Sequence, residues 1–258
     1  MTAIQTQPIP TEVTQTGTEV TQTESEDVIF PPSEIDSNEP PLETDTHLRQ
    51  ILLFLKCLEW FWQDRTDYYA TGNLTIYYSP HQLKSEDFRG PDFFVVLGTN
   101  QRLRRSWVVW EENGKYPNVI IEVLSKSTAN TDKITKKEIY QDTFRTPDYF
   151  LFDPMKLELV GYHLLDGKYE DLEPNERGHL WSQQLQLYLG IYEDFVRFFT
   201  PEGELVPTPE EDARRAQEQV QQAQEQAQQA QEQAQQAQER QERLAAKLRE
   251  LNIDPDTI

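Results

Sequence analysis

Two acidic residues in the middle of the chain stand where a divalent cation could be held. Asp92 follows Pro91 and precedes an apolar run, and Glu122 lies inside the apolar segment 119–124. An ionised carboxylate in an apolar strand is costly unless a cation or hydrogen-bond donors satisfy it. If the two segments form neighbouring strands, both carboxylates and the carbonyl oxygen of Val123 are hard ligands that suit Mg²⁺. The pattern predicts a site for metal-assisted phosphodiester cleavage.

A lysine on the next predicted helix is a third candidate. Asp132, Lys136 and Tyr140 recur every four residues, which places them on one face of a helix. An ammonium near the metal could orient or help to deprotonate the attacking water and offset charge on the phosphate. On spacing alone, an Asp132–Lys136 ion pair on a solvated face is the favoured interpretation. Glu122 could likewise pair with a core lysine or arginine, so both alternatives stay open.

The segments that must position these residues alternate between helical and extended patterns. Apolar residues at three- and four-residue spacing predict a helix from about His47 to Trp62, capped by Asp45 or Thr46. A second helix is predicted from about 130 to 144, and Pro147 prevents its continuation beyond that point. Strands are predicted at 74–78, 93–97, 107–110, 119–124, 149–152 and 157–164, with weaker strands and a hairpin before 207. This order predicts an α/β fold in which helices pack on a mixed sheet.

The two ends of the chain have compositions that differ from the middle. Residues 1–45 are rich in Thr, Gln, Glu and Pro and lack apolar periodicity, which predicts a disordered acidic leader. Residues 208–258 are rich in Gln, Ala and Glu and carry a heptad seam over 213–251, which predicts a long helix. Coiled-coil self-association is favoured over a lone solvated helix, although an alanine seam buries little. The folded domain is therefore predicted at 46–207.

The charge distribution limits the kinds of partner that the protein can bind. The 258-residue chain has a net charge of -21, which argues against non-specific coating of nucleic acid. Ten of the 18 basic residues in 47–207 nevertheless lie between Lys84 and Lys137, around the proposed site. Scattered surface charge explains this clustering equally well.

Cysteine, histidine and apolar content exclude other classes of site. Cys57 is the only cysteine, so an intrachain disulfide and a thiolate metal cluster are excluded, and a cytoplasmic location is expected. The most apolar segment, 51–62, is too short to span a bilayer, and the N-terminus lacks the basic start of a secretory signal, so no membrane partner is expected. The four histidines show no paired zinc-ligand spacing, which favours surface or structural roles for them over zinc binding.

An ordered set of residues resembles a bacterial endonuclease family of the restriction-endonuclease-like PD-(D/E)xK superfamily. The resemblance covers about 47–207, and the set that carries it consists of Pro91-Asp92, 121–125, Ser127-Thr128, Asp132, Lys136, Tyr140, Tyr149-Phe150 and Asp153-Pro154. The resemblance implies a restriction-endonuclease-like fold and DNA hydrolysis with Mg²⁺ or Mn²⁺. It implies Asp92 and Glu122 as metal ligands and Lys136, one turn before Tyr140, as the catalytic lysine.

The position of the lysine departs from the superfamily pattern. The superfamily has a lysine two residues after the acidic strand residue, and that position is Leu124 here. Lys136 on the helix is the predicted substitute, and Lys126, which has the same strand parity as Glu122, is its rival. The sequence therefore predicts a Mg²⁺-dependent DNA endonuclease. The alternative is a catalytically silent nuclease-fold interaction protein that forms homo-oligomers through 213–251.

Overall fold

The computed structural model describes residues 36–37, 42, 44–78, 88–125 and 131–250. Almost all of the predicted leader, and Ser127-Thr128 of the motif set, lie outside these residues. Within them no helix is long and apolar enough to cross a membrane.

The described residues form three α-helices, one π-helical turn and twelve strands. The helices are α1 (Asp45–Phe61), α2 (Thr131–Glu138) and α3 (Pro209–Glu250), and the π turn (Ile139–Thr143) continues directly from α2. The strands are β1 (Tyr68–Gly72), β2 (Ile76–Tyr77), β3 (Phe88–Arg89), β4 (Phe93–Leu97), β5 (Trp107–Val108), β6 (Val119–Val123), β7 (Asp148–Asp153), β8 (Glu158–Leu165), β9 (Lys168–Asp171), β10 (Leu180–Ser182), β11 (Leu187–Tyr192) and β12 (Phe195–Phe199).

A six-stranded mixed sheet forms the centre of the domain. Its strand order is β1-β4-β6-β7-β8-β9, and β6 and β7 are its parallel pair while the other neighbours are antiparallel. Two three-stranded sheets accompany it, one of β10, β11 and β12 and one of β3, β2 and β5. The predicted fold class, a mixed sheet flanked by helices and followed by a long C-terminal helix, is confirmed.

Strand β4 is apolar along its whole length and β6 is apolar except at Glu122, as is typical of a central sheet that is covered on both faces. Phe93 and Ile121 contribute to a core that includes α1 and the β10–β12 sheet. Their neighbours Phe94 and Ile120 contribute to a second core with the π turn on the opposite face. Side chains alternate along a strand, so Glu122 shares the face of Ile120 and lies under the α2 and π-turn segment.

Strand β1 was not predicted. Its end overlaps the sequence Thr71-Gly72-Asn73, whose residue types are typical of a turn. A Cβ atom at Gly72 would lie 2.2 Å from Ile51 Cγ2 and 2.8 Å from the Asp92 carbonyl oxygen. Only a glycine therefore lets β1 approach both α1 and the start of β4. This close approach brings the first helix next to the candidate site.

Helix α3 begins at the domain and then extends away from it. Thr208 and Glu211 form a reciprocal capping box, with N–H to oxygen distances of 2.8 and 3.2 Å. The guanidinium of Arg197 also donates to both carboxylate oxygens of Glu211. No residue of α3 itself is buried, although the helix has 42 residues. The cap and the arginine thus attach only the first turn of the helix to the domain.

Candidate functional site

Sheet pairing places the two predicted acidic residues side by side. The antiparallel register of β4 and β6 pairs Phe93 with Ile121, so Asp92 stands opposite Glu122 one step beyond the last pair. The Asp92 backbone N–H lies 3.5 Å from Glu122 Oε2, and the charge of Glu122 acts on the Asp92 carboxyl. Directly opposed residues on antiparallel strands are the closest neighbours in a sheet, which explains the meeting of these two groups.

The environment of Asp92 favours its neutral form. Burial is the largest cause and the adjacent charge of Glu122 is the second, and together they raise the pKa of Asp92 to about 8. Lys136 and the backbone N–H of Val123 act in the opposite direction, and this N–H donates to Asp92 Oδ2 at 2.7 Å. Two opposed carboxyls in a partly dry site need a proton or a cation between them.

Glu122 is only 3% exposed, and two side chains from α2 and the π turn bind its carboxylate. Tyr140 OH donates to Glu122 Oε1 at 2.7 Å, and Lys136 Nζ donates to Oε2 at 3.1 Å. The lysine therefore points into the sheet rather than along a solvated helix face. The alternative in which Glu122 pairs with a lysine is therefore observed, and this lysine is the candidate catalytic lysine.

The π turn explains how Tyr140 reaches this buried position. The predicted continuous helix 130–144 instead changes from α to π at Ile139, where Phe144 N–H donates to the Ile139 carbonyl at 2.9 Å. The ring of Tyr140 packs edge-on against that of Tyr149, with centroids 5.3 Å apart. Burial, followed by the charge of Glu122, raises the pKa of Tyr140 well above its ordinary value, so its hydroxyl remains a donor. Single π turns are frequent at functional sites.

A histidine that sequence spacing did not associate with the site binds the backbone beside the two carboxyls. The carbonyl oxygen of Val123, the third predicted ligand, lies 2.6 Å from His47 Nε2. His47 is in the first turn of α1, far from β6 in sequence. No signal in the sequence indicated this contact, because histidine spacing reports only ligands on one element.

The oxygen ligands that the described residues offer suit a hard divalent cation. They are the two carboxyls and the Val123 carbonyl, and no third His, Cys, Asp or Glu joins them in a ligating cluster within the described residues. Mg²⁺ typically keeps several waters and takes one or two carboxylates. The buried hydroxyl of Tyr149 makes no hydrogen bond to the described residues. Burial, followed by the charge of Glu122, raises the pKa of Tyr149 well above its ordinary value. An orphan hydroxyl close to this charge is consistent with a site that also holds water.

Two of the predicted supporting residues are not placed by the structure. Lys126 lies outside the described residues, and the side chain of Asp132 is not described although its backbone belongs to α2. Within the described residues, Lys136 is the lysine that contacts Glu122. The choice of the catalytic lysine stays a prediction.

A family model and a solved structure are similar to this chain. Residues 34–195 match the family model Uma2, described as "Putative restriction endonuclease". The solved structures include a similar chain, titled "Crystal structure of a putative nuclease belonging to DUF820 from Anabaena variabilis ATCC 29413". It has 16% sequence identity and a TM-score of 0.44, and the match covers 61% of this chain and 83% of that chain. The curated proteins contain no match to this chain.

Proposed function

Because this chain belongs to the Uma2 family, whose description is that of a restriction endonuclease, we propose that it hydrolyses DNA phosphodiester bonds with Mg²⁺ or Mn²⁺. The observation that carries the proposal is the buried pair of opposed carboxyls, Asp92 and Glu122, with Lys136 bound to one of them. A purely structural buried carboxylate needs one cationic partner. Here the carboxyl of Asp92 lies beside that of Glu122, and its pKa is raised.

In this proposal Asp92, Glu122 and the Val123 carbonyl would hold the cation. A bound Mg²⁺ would supply charge stabilisation at the phosphate and acidify a water molecule. The hydroxyl of Tyr140 donates to Glu122 Oε1 from the side of the core and so fixes the orientation of the carboxylate. Lys136 places a positive charge at the edge of the site, where it can orient the attacking water and offset charge that develops on the phosphate.

A plasmid-nicking assay tests the proposed activity directly. Full-length protein should convert supercoiled plasmid to open circles in Mg²⁺ or Mn²⁺ and should not do so in EDTA. The control is the double variant Asp92→Asn with Glu122→Gln, purified in parallel, which removes both carboxylate charges. Equal nicking by both proteins would identify a contaminant or another site. Absence of nicking by the wild type with either cation would favour the alternative, an interaction protein that forms homo-oligomers through the exposed helix α3.

Replacement of Lys136 by Ala should lower the cleavage rate while cation binding persists. Loss of one preorganised donor in an active site typically costs about 10²- to 10³-fold in rate. Removal of the ammonium also takes a positive charge away from the carboxyl pair, so cation affinity should be unchanged or higher. Single-turnover rates at saturating Mn²⁺, together with calorimetric titration of Mn²⁺, separate the two effects.

Lys137 provides the matched control for this substitution. It is the next residue on the same helix, and its Nζ lies 3.4 Å from the ring centroid of Tyr162 rather than on Glu122. Lys137→Ala should therefore cleave at close to the wild-type rate. Wild-type rates for Lys136→Ala would reject its role and direct attention to Lys126.

A further inference from the structure

Among the described residues, the last residue of β6 has no strand partner on the side of β4. The β4–β6 ladder ends at the pair of Phe93 and Ile121, two residues before Val123. On the other side the ladder continues, since Leu124 N–H donates to the Phe152 carbonyl at 2.7 Å. The buried N–H and C=O of Val123 must therefore find partners other than β4.

Side chains replace the missing strand at both groups. Asp92 Oδ2 accepts the Val123 N–H at 2.7 Å, and His47 Nε2 lies 2.6 Å from the Val123 carbonyl oxygen. A carbonyl oxygen can only accept, so Nε2 must carry the proton and donate it. A carbonyl has two lone pairs, and this hydrogen bond uses one of them.

The histidine ring is held from its other nitrogen as well. His47 Nδ1 lies 2.9 Å from Thr44 Oγ1, and the same oxygen accepts the His47 backbone N–H at 3.3 Å as the N-cap of α1. A hydroxyl that accepts from the backbone can donate its own hydrogen to Nδ1. His47 is 5% exposed, so burial adds to these contacts in restricting the ring. The start of α1 thus determines where Nε2 points.

We propose that His47 is a positioning residue that holds the Val123 carbonyl oxygen in place as the third protein ligand of the cation. The inference rests on the proposed function, because it assumes that Asp92 and Glu122 bind the metal. The planar peptide unit of Val123 and Leu124 is held at its N–H by the bond to the Phe152 carbonyl. The bond from His47 Nε2 holds the carbonyl end of the same unit beside the carboxyls and leaves the second lone pair for the cation. Such outer partners typically contribute about 10- to 100-fold to metal affinity.

Calorimetric titration of Mn²⁺ into full-length protein tests this role without requiring catalysis. His47→Gln keeps an N–H group near the position of Nε2, whereas His47→Leu has similar bulk and no donor. We expect Leu to weaken Mn²⁺ binding by about 10- to 100-fold, and Gln to restore affinity to within about threefold of the wild type. Thermal unfolding in EDTA shows whether each variant is folded. If the Leu variant does not fold, Thr44→Val provides the second test, with an expected weakening of a few-fold because only the orientation of the ring is released.

His163→Gln is the matched control, since His163 Nδ1 contacts Asp148 at 2.7 Å, at the first residue of β7 rather than beside the carboxyl pair. It should bind Mn²⁺ as the wild type does. Equal losses in Gln and Leu would overturn the positioning role, because they would mean that the ring nitrogen itself is required. Wild-type affinity in the Leu variant, or in Thr44→Val where that replaces it, would also overturn it. If the wild type binds no Mn²⁺, or if Asp92→Asn binds as well as the wild type, the proposed function fails, whatever the His47 variants do.

Discussion

Glu122→Gln is expected to reduce the rate of cation-dependent nicking by about 10³-fold or more. The bound cation contributes several kcal/mol of charge stabilisation, and each loss of about 1.36 kcal/mol lowers the rate tenfold. The amide has the shape of the carboxylate but no negative charge, so attraction to the cation and to Lys136 is lost. Tyr140 can still donate to the remaining carbonyl oxygen, at the place where it donates to Oε1 at 2.7 Å in the wild type. The fold should therefore persist, although Glu122 is only 3% exposed.

The measurement is the initial rate of plasmid nicking over a series of Mn²⁺ concentrations, with thermal unfolding recorded beside it. Glu158→Gln makes the same chemical change on β8, where the residue is exposed and paired with Asp153 in the sheet register. This control should retain the wild-type rate. A Glu122→Gln protein that keeps more than about a tenth of the rate would show that the carboxylate does not hold the catalytic cation.

Asp92→Asn is expected to remove most of the pH dependence of stability in the metal-free protein. Burial and the charge of Glu122 raise the pKa of Asp92 to about 8, whereas an aspartate in an unfolded chain has a pKa near 3.9. The folded state therefore binds this proton more tightly than the unfolded state does. The resulting stabilisation is complete below about pH 4 and is lost as the pH rises towards about 8. Asparagine does not titrate and contributes no such slope.

Thermal unfolding in EDTA at pH 6 and pH 8.5 measures this slope. The wild type should lose at least about 4 °C over this interval, given roughly 2–4 °C per kcal/mol for a domain of this size. Asp92→Asn should lose much less. Added Mn²⁺ should reduce the loss in the wild type, because a cation can take the place of the proton between the two carboxyls.

Asp67→Asn is the control for the general effect of an aspartate substitution. A hydrogen bond from Arg65 lowers the pKa of Asp67 below its ordinary value, so this group stays ionised throughout the interval. Its variant should keep the wild-type slope. Identical slopes for Asp92→Asn and the wild type would show that Asp92 is not protonated in the metal-free protein.

Local sequence was sufficient to predict most of the elements of the domain. Strand β4 is a continuous apolar run and β6 is apolar except at Glu122, and such runs are typical of strands in a sheet that is covered on both faces. The missed strand β1 ends at Gly72, where the local sequence is typical of a turn. A glycine is needed at this position because the backbone lies close to the side chain of Ile51. Propensity describes a residue and its neighbours, whereas this approach depends on where α1 packs. The long helix α3 was predicted because a repeated heptad needs no tertiary partner to indicate a helix.

Glu122 was predictable for a different reason from Lys136. A carboxylate inside an apolar strand is conspicuous because of the free energy of its burial. A lysine on a short polar helix is ordinary, and spacing favoured a solvated ion pair for it. The π turn at Ile139 also had no sequence signal, although it accompanies the buried position of Tyr140. These features depend on packing over the sheet and not on local pattern.

The sequence by itself determined that two acidic residues adjoin or occupy buried strands and that the charge of Glu122 must be satisfied. Burial cost follows from residue type and from the apolar neighbours along the strand. Only the tertiary structure decided which groups satisfy that charge. The β4–β6 register opposes Asp92 to Glu122, and the helix above brings Lys136 to the same carboxylate. The contact of His47 with Val123, 76 residues away, arises in the same way, since contacts between distant segments depend on the three-dimensional arrangement of the elements.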